Sequence, residues 1–245
     1  MRKHEQPPPL TLLVGGPVTE VSRAFRSFIE ADKDYTAVNA DLNRSVKTEI
    51  VYHGVSFIVS IKKPIADRAR FKNIFCNVKP SSMGCGVSIG LGAHVAGGER
   101  VPVIIQVLLA VARSIGTSLG AQAVIWHPAG VISGFAYFSE AVSDYCAGGA
   151  IPVLALVNFK SESDGKIIST GLSYLSGQEL QVARSAMDDS DMMRRVVRVV
   201  HDMAVNGQIS KTLKLVGIEP EEVVELQPLP EYGHVQMKVY STSIA

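Results

Sequence analysis

Cysteine is scarce in this chain: Cys76, Cys85 and Cys146 are the only three among 245 residues, at wide spacings. An odd number so spread argues against a disulfide framework and for a reducing compartment. No Cys-x-x-Cys or His-x-x-x-His pair occurs, so no metal centre and no cofactor is expected. An excess of one charge is missing as well. Lysine and arginine number 24 against 23 acidic residues, a net +1, which lacks the basic footprint of a nucleic-acid binder. A near-neutral surface also lacks strong self-repulsion, so a homo-oligomer stays open. Long apolar runs are few. Leu10–Val14 is too short for a signal-peptide core, and Val101–Gly120 is interrupted by Gln106, Arg113, Ser114, Thr117 and Ser118. The second run therefore reads as a buried helix rather than a membrane span, and the expectation is a cytoplasmic protein with no membrane partner.

What is present is enough apolar material for a large core. Hydrophobic residues make up 47% and charged residues 19%, below the usual quarter. After a Pro-rich lead over residues 1–9, residues 10–245 read as a single α+β domain, since no long polar linker divides them. Leu10–Val14 is a strand that Gly15-Gly16-Pro17 turns into a helix, with Thr19 as its expected N-cap. Lys47–Tyr52 and Val55–Ile61 flank the hairpin pair His53-Gly54, and Pro64 ends the second strand. The alternation of Cys85, Val87, Ile89, Leu91, Ala93 and Val95 predicts a glycine-rich strand over Gly84–Val95. A helix from about Val101 is apolar nearly all round and so belongs at the centre. Asp189–Asn206 has a helical stripe of Met192, Val196, Val199, Val200 and Met203, stopped by Gly207. Strand-like runs follow at Thr212–Val216, Val223–Leu229 and Val235–Thr242. Together they predict a mostly antiparallel mixed sheet covered by about four helices.

The block from Ala123 to Val182 concentrates the residues of chemical interest. It reads as a strand Ala123–Trp126, a break at His127-Pro128-Ala129-Gly130, a helix over about Ser133–Ala147 and a strand Ile151–Phe159. A charged hairpin turn then leads into Ser169–Val182. Trp126, the only tryptophan, and His127 stand where a buried strand emerges, a place where ligand sites form in α/β architectures. Thr170 and Gly171, followed by Gly177, Gln178 and Glu179, offer a loop that presents a carboxylate beside His127. Trp126, His127, Thr170, Gly171, Gln178 and Glu179 are thus the candidate binding residues. Two readings of them are open. His127 and Glu179 form an acid–base pair suited to hydrolysis, or Trp126 seals the core while Glu179 bonds backbone amides or Arg184.

Other motifs are weaker. Gly15-Gly16-Pro17 precedes a helix but lacks the Lys-Ser/Thr of a phosphate loop, and Gly84-Cys-Gly86 and Gly90-Leu-Gly92 miss the G-x-G-x-x-G spacing. Arg194, Arg195 and Arg198 cluster on the last long helix with Asp191 within ion-pair reach. They read as a solvated face or as a surface for an acidic protein. Val235, Met237, Val239 and Tyr240 suggest an edge strand free to pair with a partner.

Several of these segments, in their order and spacing, resemble a bacterial domain-of-unknown-function family, number 4261. The likeness is carried by Ser60-Ile-Lys-Lys-Pro-Ile-Ala-Asp67, Ala123-Val-Ile-Trp-His-Pro128, Thr170-Gly171-Leu172, Glu179-Leu180-Gln181-Val182 and Met203-Ala-Val-Asn-Gly-Gln-Ile209. It runs from about residue 55 to the C-terminus. Ser176 departs from a usual glycine, and histidines that many members carry are missing around Cys85–Leu91. The resemblance implies a fold and a bacterial origin, and it brings no established activity. The expected function is a non-enzymatic protein-binding module, an immunity or inhibitor protein that neutralises a bacterial toxin. The alternatives are a hydrolase using His127 and Glu179 or a homo-oligomeric structural protein.

Overall fold

Every residue of Leu10–Val14 (β1) is buried, which an alternating strand manages only when both of its faces are covered. The computed structural model describes residues 7–38, 47–63, 71–183 and 187–242. Two mixed sheets, of eight and six strands, and six helices lie among them. The sequence reading of an α+β fold with mostly antiparallel pairing holds, with its strands divided between two sheets.

After β1 come helix α1 (Val18–Ala31), strand β2 (Tyr35–Ala37) and the hairpin of β3 (Lys47–Tyr52) with β4 (Val55–Lys62). His53 and Gly54 both have positive φ, 47° and 79°, as a type I′ turn requires. Strand β5 (Lys72–Ile74) and strand β6 (Cys85–Leu91) precede helix α2 (Pro102–Ser118), strand β7 (Ala121–Trp126) and strand β8 (Val131–Gly134). The larger sheet runs β2-β3-β4-β6-β1-β7-β8-β5, antiparallel except where β5 joins β8. Its two faces separate by residue parity. Leu10, Leu12, Val87, Ile89, Val124 and Trp126 enter the main core, whereas Leu13, Ala123, Ile125, Ile132 and Cys76 form a second, smaller cluster.

Helix α3 (Phe135–Cys146) and a single helical turn, α4 (Val153–Leu156), lead to strands β9 (Asn158–Ser161) and β10 (Ile167–Thr170). A five-residue helix α5 (Leu172–Ser176), strand β11 (Glu179–Val182) and helix α6 (Asp189–Asn206) follow. Strands β12 (Leu213–Val216), β13 (Glu222–Leu229) and β14 (His234–Ser241) complete the order. The smaller sheet runs β12-β13-β14-β11-β10-β9, with one parallel pair, β11 with β14. Val182, Leu180, Val224, Leu226, Val235 and Met237 from this sheet share the main core with the α6 stripe, so one core serves both sheets.

Five local expectations are corrected. The run Ile151–Phe159 turns once as helix before it extends, because a short apolar run suits either state and Pro152 opens the turn. Ser133 and Gly134 belong to β8, not to the following helix. The glycine-rich strand stops at Leu91, after which residues 93–95 form a 3₁₀ turn. Helix α1 starts at Val18 behind Pro17, and no side chain caps it, so Thr19 lies inside. Strand β14 is not an edge: it pairs β13 on one side and β11 on the other. Pro64, Arg184, and Pro64–Asp67 of the first resemblance motif lie outside the described residues.

Candidate functional site

Strand β7 delivers Trp126 and His127 to opposite faces of the larger sheet. Trp126 points into the main core, 1% exposed, and its indole meets the Tyr174 ring edge-on at 5.3 Å. Its Nε1 is buried with no hydrogen-bond partner among the described residues. The backbone N–H of His127 continues the ladder by donating to Pro9 O at 2.8 Å. Its ring follows the parity of Ile125 onto the other face. There Nε2 lies 2.9 Å from Thr11 Oγ1, which lies 2.9 Å from Ser88 Oγ. Thr11 and Ser88 are direct cross-strand partners of β1 and β6, so the register itself aligns the three polar groups. Burial pushes the His127 pKa below its ordinary value, which favours a neutral imidazole. Such a chain can pass a proton between the serine hydroxyl and the ring.

Glu179 sits on the smaller sheet and is enclosed by donors. Its Oε1 accepts from the backbone N–H of Gly171 at 2.9 Å and of Ser173 at 3.0 Å, and from Ser173 Oγ at 2.6 Å. Its Oε2 accepts from Ser169 Oγ at 2.5 Å and from the Leu172 N–H at 3.2 Å. The orphan N–H groups at the start of α5 are thus satisfied by a carboxylate from the next strand. Gly171 allows this: its φ of +96° opens the helix, and a Cβ there would stand 2.6 Å from Ala129 Cβ. Thr170 ends β10 opposite Asn158. The buried Gln178 amide clamps Ile209 in both directions, accepting from its N–H at 2.8 Å and donating to its carbonyl at 3.1 Å.

The six candidate residues therefore adjoin through two contacts, Trp126 with Tyr174 and Ala129 with Gly171. His127 turns away toward Thr11, and Glu179 spends its oxygens within its own loop. Among the described residues no hydrogen bond joins the two side chains. Thr11, Ser88, Ser169 and Ser173 were missed because hydroxyl residues carry no pattern until the strands align. Of the arginine cluster, Arg195 is buried against Glu222 rather than solvated, and Arg194 makes the expected contact with Asp191 at 3.5 Å. A shallow notch between α6 and β12, lined by Arg198, Val199, Leu215 and Val224, holds none of the candidate residues.

A further position stands out where β5 ends. Phe75 is 72% exposed, and its φ of 48° places it in the left-handed region. Asn73 fixes this turn from both sides: its Oδ1 accepts from Cys76 N at 3.0 Å and its Nδ2 donates to Cys76 O at 2.7 Å. The Phe75 carbonyl lies so close to Gly134 that a Cβ there would be 2.3 Å away. Its ring stands 5.0 Å from that of Tyr137 on α3. No periodic pattern in the sequence marks this residue.

Among the described residues no group of three or more histidine, cysteine or acidic side chains is arranged to hold a metal, and no helix is long and apolar enough to cross a membrane. No protein-family model matches this chain, and neither a curated protein nor a solved structure matches it significantly.

Proposed function

We propose that this protein is a binding module for another protein, with the turn around Phe75 as its docking face. One observation supports the reading: a phenylalanine is held in solvent on an unfavourable backbone. The left-handed conformation costs an L-residue about 1–2 kcal/mol. A phenylalanine left in water also forgoes the roughly 1.5–3 kcal/mol that burial would return. Asn73 offsets part of the backbone cost with two hydrogen bonds, and those bonds hold the ring outward rather than letting it collapse. A rigid aromatic of this kind is the usual anchor of a protein interface, because it brings large area at small entropic cost.

The hydrolytic alternative needs His127 and Glu179 to share a proton. The five donors on Glu179 and the Thr11 contact of His127 give that reading less support than the docking reading. Neutralisation of a bacterial toxin is the specific form of protein binding that we propose.

A photo-reactive phenylalanine analogue at position 75, expressed in the host cell, tests the reading. The expected result is a discrete adduct with one other protein, missing when the analogue stands at exposed Lys33, just after α1. An adduct only with a second copy of this chain would favour the oligomer, and no adduct would remove the docking face. Co-expression of the captured protein then tests the toxin role by rescue of growth.

A further inference from the structure

We infer that the partner presents an acidic surface around an apolar pocket, with Phe75 filling the pocket and Lys72 and Lys79 meeting the carboxylates. This rests on the docking reading above and names the chemistry of its partner. From residue 71 to residue 98 the chain contains no aspartate or glutamate, although acidic residues number 23 in 245. Within that stretch Lys72, Phe75 and Lys79 are all exposed, Lys72 opening β5 and the other two following it in the chain. Asn77 is exposed in the same stretch, which supplies a neutral donor and acceptor.

Lys72 and Lys79 thus give this stretch a positive charge in a chain whose total is only +1. On the neighbouring helix Glu140 stands three residues after Tyr137 and is exposed. Lysines on the rim steer an acidic partner and suppress basic ones, while the central aromatic supplies the slow-dissociating contact. One ring among lysines and asparagines suits a protein pocket better than a lipid surface. Membrane-binding loops need more apolar depth than Phe75 alone presents.

The test pans the intact protein against two displayed peptide pools, one alternating Asp/Glu with apolar residues and one alternating Lys/Arg with them. Phosphatidylglycerol vesicles and a single-stranded DNA oligomer are run in parallel. We expect binders from the acidic pool whose affinity drops at least about tenfold in Phe75→Asn and in Lys72→Glu/Lys79→Glu, and falls as salt is raised past the Debye-screened range. Acidic binders lost in Phe75→Asn but indifferent to the lysine changes would overturn the acidic partner and leave the docking reading standing. Binders from the basic pool alone, no binders, or tighter binding to vesicles or DNA would also overturn it. Circular dichroism of both variants confirms that they fold, so that lost binding reports on the surface.

Discussion

Arg195 on α6 and Glu222 at the start of β13 form a bidentate ion pair inside the molecule. The arginine Nε donates to both carboxylate oxygens at 2.9 Å, and Nη2 donates to Oε2 at 2.5 Å, with the two residues 4% and 8% exposed. Both ends are further satisfied: Arg195 Nη1 donates to Asp191 O at 2.8 Å, and Glu222 Oε1 accepts from Ile218 N at 3.0 Å. The pair ties the last helix to β13, the second strand of the smaller sheet.

Breaking that pair from one side leaves a buried charge without its partner. Glu222→Gln is expected to lower stability by about 3–5 kcal/mol, whereas Arg195→Met/Glu222→Leu recovers most of the loss. The guanidinium holds the Glu222 carboxyl below its usual range against the opposing effect of burial. A depressed folded pKa means that this stability is present above the unfolded value and is lost as pH falls through the folded one. Denaturant unfolding at neutral and acid pH checks both statements; equal stability of Glu222→Gln and wild type at neutral pH would refute them.

Glu179 is predicted to stabilise the start of α5. Glu179→Gln keeps the shape but aims an amide NH₂ at a set of donors, so about 2–3 kcal/mol should be lost. Thermal unfolding measures it, and an unchanged melting temperature would mean that the five bonds contribute nothing net.

His127 carries an opposite pH signature from that of a paired histidine. Burial lowers its pKa, so the unfolded chain binds the proton more readily than the folded one. Its contribution is present above the unfolded value of about 6.5 and is lost as pH drops below it toward the folded value. His127→Gln, which keeps a partner for Thr11, should flatten the stability curve between neutral pH and about pH 5. A ring titration followed by NMR at or above the ordinary histidine value would contradict the assignment.

How much of this was legible in the sequence depended on the range of the contacts. Strand β1, the His53-Gly54 hairpin and helix α6 announce themselves through local period, turn chemistry and stops. Ser133 and Gly134, the end of strand β8, were read as the start of a helix because β8 runs directly into α3 and the two residues have no period to set them apart. The Thr11–Ser88–His127 chain joins positions 77 and 116 residues apart, which only the register of three strands reveals. Glu179 was singled out as a carboxylate with backbone-amide bonds as one open reading, but its donors Ser169 and Ser173 were not. Arg195 looked solvated because a helix pattern cannot tell a salt-bridged arginine at the stripe's edge from an exposed one. Phe75 was overlooked for a similar reason: the positive φ that marks it is set by Asn73 and by close packing on Gly134, not by any neighbour pattern.

Unfolding of Phe75→Asn, compared with Phe138→Ala in the core, tests most directly whether Phe75 is displayed for a partner. Asparagine accepts the left-handed backbone readily and gives up only the exposed ring and its Tyr137 contact, so its stability should stay within about 1 kcal/mol of wild type. The buried Phe138 should lose about 3–5 kcal/mol on truncation. A comparable loss in Phe75→Asn would make the ring a structural element and contradict the docking role.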